Sequence, residues 1–104
     1  MKSRASVLRS AGAYGAANTP VNSVAPAVTG LTSLGAVSTC STGTWSLSPA
    51  ITYQWRRAGT AISGETAATH TIVAADQTKA LDCVVMANKG GVQAVKVSNA
   101  VAIP

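Results

Sequence analysis

The sequence predicts an all-β fold, an antiparallel β-sandwich of about seven strands behind an extended N-terminal arm. Three observations carry this. Val, Ile and Thr recur through residues 20–104, with Gly, Pro, Asn and Ser as punctuation about every dozen residues. Ile51-Thr-Tyr-Gln-Trp-Arg56 alternates with period two, the signature of a half-buried strand. No segment carries a sustained helical period.

The elements follow in order. Residues 1–19 hold Lys2, Arg4 and Arg9, no acid, and the small-residue tract Ser10-Ala-Gly-Ala-Tyr-Gly-Ala-Ala17. Such a composition cannot bury enough apolar surface to fold alone. It reads as an arm that orders against a partner chain, with Lys2, Arg4, Val7, Leu8, Arg9 and Tyr14 as the contact residues. Residues 20–104 form the folded domain. Val21 to Val28, broken by Pro26, reads as an edge strand, where a missing N–H does least harm. Ala36 to Cys40 reads as the next strand and Ile51 to Arg56 as a central one. In the central strand Ile51, Tyr53 and Trp55 face inward. Gly59 supplies the positive φ of a turn, and Ala61-Ile62 is a short edge strand ended by Ser63-Gly64. Strands near Thr69 to Val73 and Ala80 to Ala87 flank a single helical turn at Ala74 to Thr78. The turn Asn88-Lys-Gly-Gly91 then leads into one last strand, Val92 to Val101.

Composition bounds the chemistry. The chain has 104 residues, 47% hydrophobic and 11% charged, with a net charge of +5. Its three acids, Glu65, Asp76 and Asp82, and its single histidine, His70, leave little for acid–base catalysis. The expectation is that the protein is not an enzyme and carries no cofactor or metal. Cys40 and Cys83 are too few for a closed zinc site, which takes four ligands. No apolar run nears the roughly 18 residues of a membrane helix. The basic N-terminus lacks the apolar stretch of about 7–15 residues that a secretory signal needs. His70 lies between Thr69 and Thr71, which point to the opposite face of a strand, so it reads as a core position rather than a base. Arg56, Arg57, Lys79, Lys89 and Lys96 are scattered over strands and loops without interleaved exposed aromatics. They read as solubility charges, not a nucleic-acid surface.

Cys40, Trp55 and Cys83 stand in the order strand B, strand C, strand F of an immunoglobulin-like sandwich. The chain resembles bacterial and phage immunoglobulin-like domains in Val24-Ala-Pro-Ala-Val-Thr-Gly30, Cys40-Ser-Thr-Gly-Thr-Trp45, Ile51-Thr-Tyr-Gln-Trp-Arg-Arg57 and Ala61-Ile-Ser-Gly64. Ala67-Ala-Thr-His-Thr-Ile-Val-Ala-Ala-Asp76 and Ser98-Asn-Ala-Val101 add to it. The resemblance implies that Trp55 packs over the two cysteines, bridged or as thiols, in the structural core. Leu81 stands where antibody-type domains carry a corner tyrosine, so the turn before that strand must rely on Asp76 as its cap. Trp45 is implied to pin its own turn onto the core.

Such domains are displayed on phage tails and capsids and on bacterial surfaces. The resemblance, with the basic arm, implies a phage virion structural protein, a capsid decoration protein synthesised in the host bacterial cytoplasm. Its arm binds the major capsid protein or another virion protein, with further copies of itself as a second partner, and its domain sits on the outer capsid surface. The alternative is a recognition module that weakly binds host-surface carbohydrate. Neither nucleic acid nor membrane is an expected partner.

Overall fold

A computed structural model describes residues 19–104. The contacts expected of Lys2, Arg4, Val7, Leu8, Arg9 and Tyr14 lie outside the described residues. The described chain is all-β, with ten strand segments and one 3₁₀ turn: β1 (Asn22–Val24), β2 (Val28–Gly30), β3 (Val37–Cys40), β4 (Thr44–Trp45), β5 (Ala50–Arg57), β6 (Thr60–Ala61), β7 (Thr69–Thr71), the turn Ala74–Asp76, β8 (Ala80–Lys89), β9 (Val92–Val97) and β10 (Val101–Ala102). All pairings are antiparallel.

β8 is the spine of the larger sheet. One edge of it pairs with β5 from Ala50↔Asn88 to Arg57↔Leu81. Its other edge takes β9 and then β10 in turn, and β6 extends the sheet beyond β5. The second sheet runs β2-β3-β7, and β1 pairs β4 as a separate two-stranded ladder. Period-two patterning explains the faces. Leu81, Cys83, Val85 and Ala87 of β8 are buried while the residues between them are half-buried. Trp55 of β5 sits opposite Cys83 and is wholly buried. Val28, Cys40 and Ile72 from the second sheet and its continuation meet Trp55, Leu81, Cys83, Val85 and Ile103 in one core, with Trp45, Ile51, Tyr53, Ile62 and Val101 against its margin. The arrangement is sandwich-like.

Two interruptions raise the segment count above the expected seven. The first strand breaks between β1 and β2 at Ala25-Pro26-Ala27, where Pro26 has no N–H to donate. The last strand, expected to be continuous from Val92 to Val101, breaks between β9 and β10 at residues 98–100. There Ser98 Oγ accepts the Cys83 N–H at 2.9 Å, a bond the ladder would otherwise leave to backbone. Asn99 turns towards the opposite sheet, and its Oδ1 accepts the Val28 N–H at 2.8 Å. An amide side chain thereby stands in for a strand neighbour beside β2. Joined across their breaks, β1/β2 and β9/β10 with β3, β5, β6, β7 and β8 make seven chain crossings, and β4 is a two-residue addition.

The clip between β1 and β4 depends on glycine. Gly43 has φ +73°, and a Cβ there would lie 2.2 Å from the Val24 carbonyl oxygen and 2.9 Å from Pro26 N. Only a residue without a side chain lets the two segments approach so closely.

Candidate functional site

Ionic groups concentrate where β5 ends. Arg57, the last residue of β5, donates from Nε to Asp76 Oδ1 at 2.7 Å. Asp76 closes the 3₁₀ turn after β7 and is fully buried. Its Oδ2 accepts the Val73 N–H at 2.9 Å and lies 2.8 Å from His70 Nε2. The cap expected from Asp76 is thus in place, and it is anchored from three sides. His70, buried on β7, stacks on Trp55 with ring centroids 5.4 Å apart and planes at 30°. Its Nδ1 contacts Glu65 Oε1 at 2.5 Å. The chain of contacts therefore runs Arg57–Asp76–His70–Glu65 and joins β5, the turn, β7 and the segment that crosses between the sheets.

Burial alone, the largest influence, would push the Asp76 carboxyl up. The Val73 N–H, His70 and Arg57 together outweigh it and hold the group below its ordinary value. Both His70 ring nitrogens face carboxylate oxygens, Nδ1 that of Glu65 and Nε2 that of Asp76. Neither nitrogen keeps a free lone pair towards solvent, so the ring is committed to holding its neighbours.

The crossing segment, residues 62–68, is fastened chiefly by Trp55. The Trp55 backbone N–H donates to the Glu65 carbonyl at 2.9 Å, its carbonyl accepts the Ile62 N–H at 2.9 Å, and its indole Nε1 donates to the Ala67 carbonyl at 2.7 Å. Gln54 adds a side-chain bond to the Ile62 carbonyl at 2.8 Å. Beside this segment a cleft of about 370 Å³ opens between it and β7, with Arg57, Glu65 and His70 among its walls.

The other residues of interest are placed as follows. Cys40 on β3 and Cys83 on β8 come from different sheets and are buried, free thiols within interaction range of each other. The Cys83 thiol is pushed up, first by its hydrogen bond to Cys40 and then by burial. Trp45 donates its indole N–H to the Thr42 carbonyl at 2.7 Å and packs against the core, which fixes its turn.

Two residues read as solubility charges have specific partners instead. Arg56 meets Asp82 with two bonds, Nε to Oδ1 at 2.8 Å and Nη2 to Oδ2 at 2.7 Å, across the β5–β8 pair. Arg57 meets buried Asp76. Arg56 and Asp82 share the outward parity of adjacent strands, a signal readable once the strand register is known. The long reach from Arg57 to Asp76 leaves no such local pattern. Among the described residues no three His, Cys, Asp or Glu side chains form a metal-binding group. No protein-family model matches the chain, and no curated protein or solved structure matches it.

Proposed function

We propose that this chain is a phage virion structural protein of the capsid decoration class, an immunoglobulin-like sandwich carried on an arm of residues 1–19. The observation that carries the proposal is the core trio. Cys40 and Cys83 come from facing sheets, with Trp55 beside Cys83 at the centre of a seven-crossing sandwich, in the chain order of immunoglobulin-like domains. The sites that resemble chemistry are spent on structure, since both His70 nitrogens and both oxygens of Asp76 and Asp82 hold neighbouring elements together. This supports a binding and scaffolding role over a catalytic one. The indole N–H of Trp45 is bonded within its own loop and its half-buried ring packs at the margin of the core, which disfavours the carbohydrate alternative.

In this reading Lys2, Arg4 and Arg9 meet carboxylates on the major capsid protein, and Val7, Leu8 and Tyr14 pack into its surface. Exposed ion pairs contribute only about 0–1 kcal/mol each, so packing and backbone hydrogen bonds supply most of the affinity. Many copies spanning subunit boundaries then act together. The test is co-purification with intact capsids. Val7, Leu8 and Tyr14, changed together to alanine, should abolish capsid occupancy while the thermal unfolding midpoint stays unchanged. High salt should weaken binding only in part. Full occupancy by the triple variant would overturn the arm's role, and absence of the wild-type chain from the capsids would overturn the decoration reading.

A further inference from the structure

The free edge of β7 is built to accept another strand. In the β3–β7 pair, Cys40 N–H bonds the Ala68 carbonyl and Ile72 N–H bonds the Ala36 carbonyl. Hydrogen-bonded and non-bonded pairs alternate along an antiparallel ladder. Ser38↔His70 is therefore a bonded pair, whereas Val37↔Thr71 and Thr39↔Thr69 are not. The N–H and C=O groups of Thr69 and Thr71 point away from β3, and among the described residues no other strand pairs β7 there. They line the cleft of about 370 Å³. Across it stand Ile62 and Ser63 of the crossing segment.

Arg57, Glu65 and His70 are the charged or titratable groups lining this cleft; Arg57 donates to Asp76, and His70 lies between Asp76 and Glu65. Asp76 and Asp82 have both oxygens tied to cationic side chains or backbone, but Glu65 uses Oε1 alone. Glu65 Oε2 is the one carboxylate oxygen of these three side chains without a partner among the described residues. A strand entering the cleft can thus bond four backbone groups of β7 and place a cationic side chain against Glu65. Residues 1–18 of this chain have that character, with Lys2, Arg4 and Arg9 and no acid, and small residues that permit close approach.

This segment joins the body near the start of β5, at the end remote from the chain's own cleft. Val21 is fixed beside Ser46, before β5 begins, and Arg57 at the cleft is the last residue of β5. A return within one chain would consume the length of β5, roughly 25 Å at about 3.3 Å per residue, before any pairing began. That return still leaves about 35 Å of the roughly 60 Å that 18 extended residues span, so length allows both routes, and the concentration dependence below separates them.

We infer that the free edge of β7 binds residues 1–18 of a second copy as an added β-strand, with Glu65 receiving one of its basic side chains. Strand addition to an open edge gives affinity through main-chain bonds and specificity through alternate side chains. One arm cannot fill a neighbour's edge and bind a capsid at once, so the inference concerns the free protein, and it is tested on purified chain separately from the capsid contact.

The experiment is sedimentation of the full chain over a range of concentrations, with amide exchange read at Thr69 and Thr71. Wild type should self-associate, and these two amides should gain protection as it does. Thr71→Pro removes an N–H that faces the cleft and takes no part in pairing with β3. It should remain monomeric with an unchanged unfolding midpoint. Glu65→Gln should weaken association and flatten its salt dependence. If Thr71→Pro fails to fold, titrating the wild-type chain with a synthetic peptide of residues 1–18 decides, since only a true acceptor edge gives saturable protection of both amides. Three results would each overturn the inference: a wild-type chain monomeric throughout, a folded Thr71→Pro that associates normally, or protection independent of concentration, which would mean the chain's own arm fills the cleft.

Discussion

Replacing Asp76 by asparagine should cost far more than a surface charge change. Asparagine keeps the volume, so no cavity opens, but it removes the charge and half of the acceptor capacity. Three contacts depend on that carboxylate: Arg57 Nε at 2.7 Å, His70 Nε2 at 2.8 Å and Val73 N at 2.9 Å. Hydrogen bonds to charged groups are worth about 1.5–3 kcal/mol each, and removing one member of a buried ionic network costs about 3–5 kcal/mol. Arg57 is partly exposed and recovers water, whereas His70 is buried and does not. The expected loss is therefore near the lower end, about 3 kcal/mol. For a domain of this size that lowers the melting temperature by roughly 12–24 °C. Urea unfolding followed by tryptophan fluorescence measures it, because Trp55 moves from full burial to solvent. The pH dependence fixes the cause. Asp76 is held below its ordinary value in the folded state. Its contribution is then fully present above the usual carboxylate value, near pH 4, and fades as pH falls through the depressed folded value. On the acid side the gap between wild type and variant should narrow below about pH 4. A loss under about 1 kcal/mol at neutral pH would refute the assignment of Asp76 as the keystone of this end.

Two further outcomes test the packing. Trp55→Ala should cost about 3–5 kcal/mol, enough to unfold many domains of ordinary stability, and should free residues 62–68 to fast amide exchange; a folded variant with slow exchange there would contradict the fastening role. Gly43→Ala should destabilise by more than about 1 kcal/mol, since the added Cβ meets the Val24 carbonyl in a backbone conformation that side chains disfavour; calorimetry showing an unchanged melting temperature would contradict the close approach.

The parts of this fold that were legible in the sequence are those governed by local periodicity. Ile51 to Arg56 announces a strand by alternation alone, and Leu81, Cys83 and Val85 share the inward parity that buries them. The cap at Asp76 is expected from the family resemblance, through Leu81 in place of a corner tyrosine, and not from periodicity. The break at Ser98 and Asn99 was not legible, because Val92 to Val101 reads as uninterrupted β-sequence and the reason to leave it lies on β2, 71 residues away. The ionic chain from Arg57 to Glu65 was hidden for the same reason. Its four members come from separate elements, and each alone looks like an ordinary surface charge or a core polar residue. The cleft beside β7 is an absence of pairing, and residue patterns report the partners a strand has rather than one it lacks.

The short ladder between β1 and β4 gives the molecule a mechanical fuse. Tension applied through Thr19 reaches β1 before any other strand, and β1 is held by only two registered pairs, Asn22↔Trp45 and Val24↔Thr44. The next hold is Ala27, whose N–H and carbonyl both bond Ser41, followed by β2 with three pairs to β3 and the amide of Asn99 beside it. A pull should peel β1 first and stop at Ala27; the segment from Thr19 has a contour of about 26 Å at about 3.3 Å per residue, and the slack released is that contour less the distance the folded segment already spans. The domain behind it would stay folded while that length absorbs the displacement.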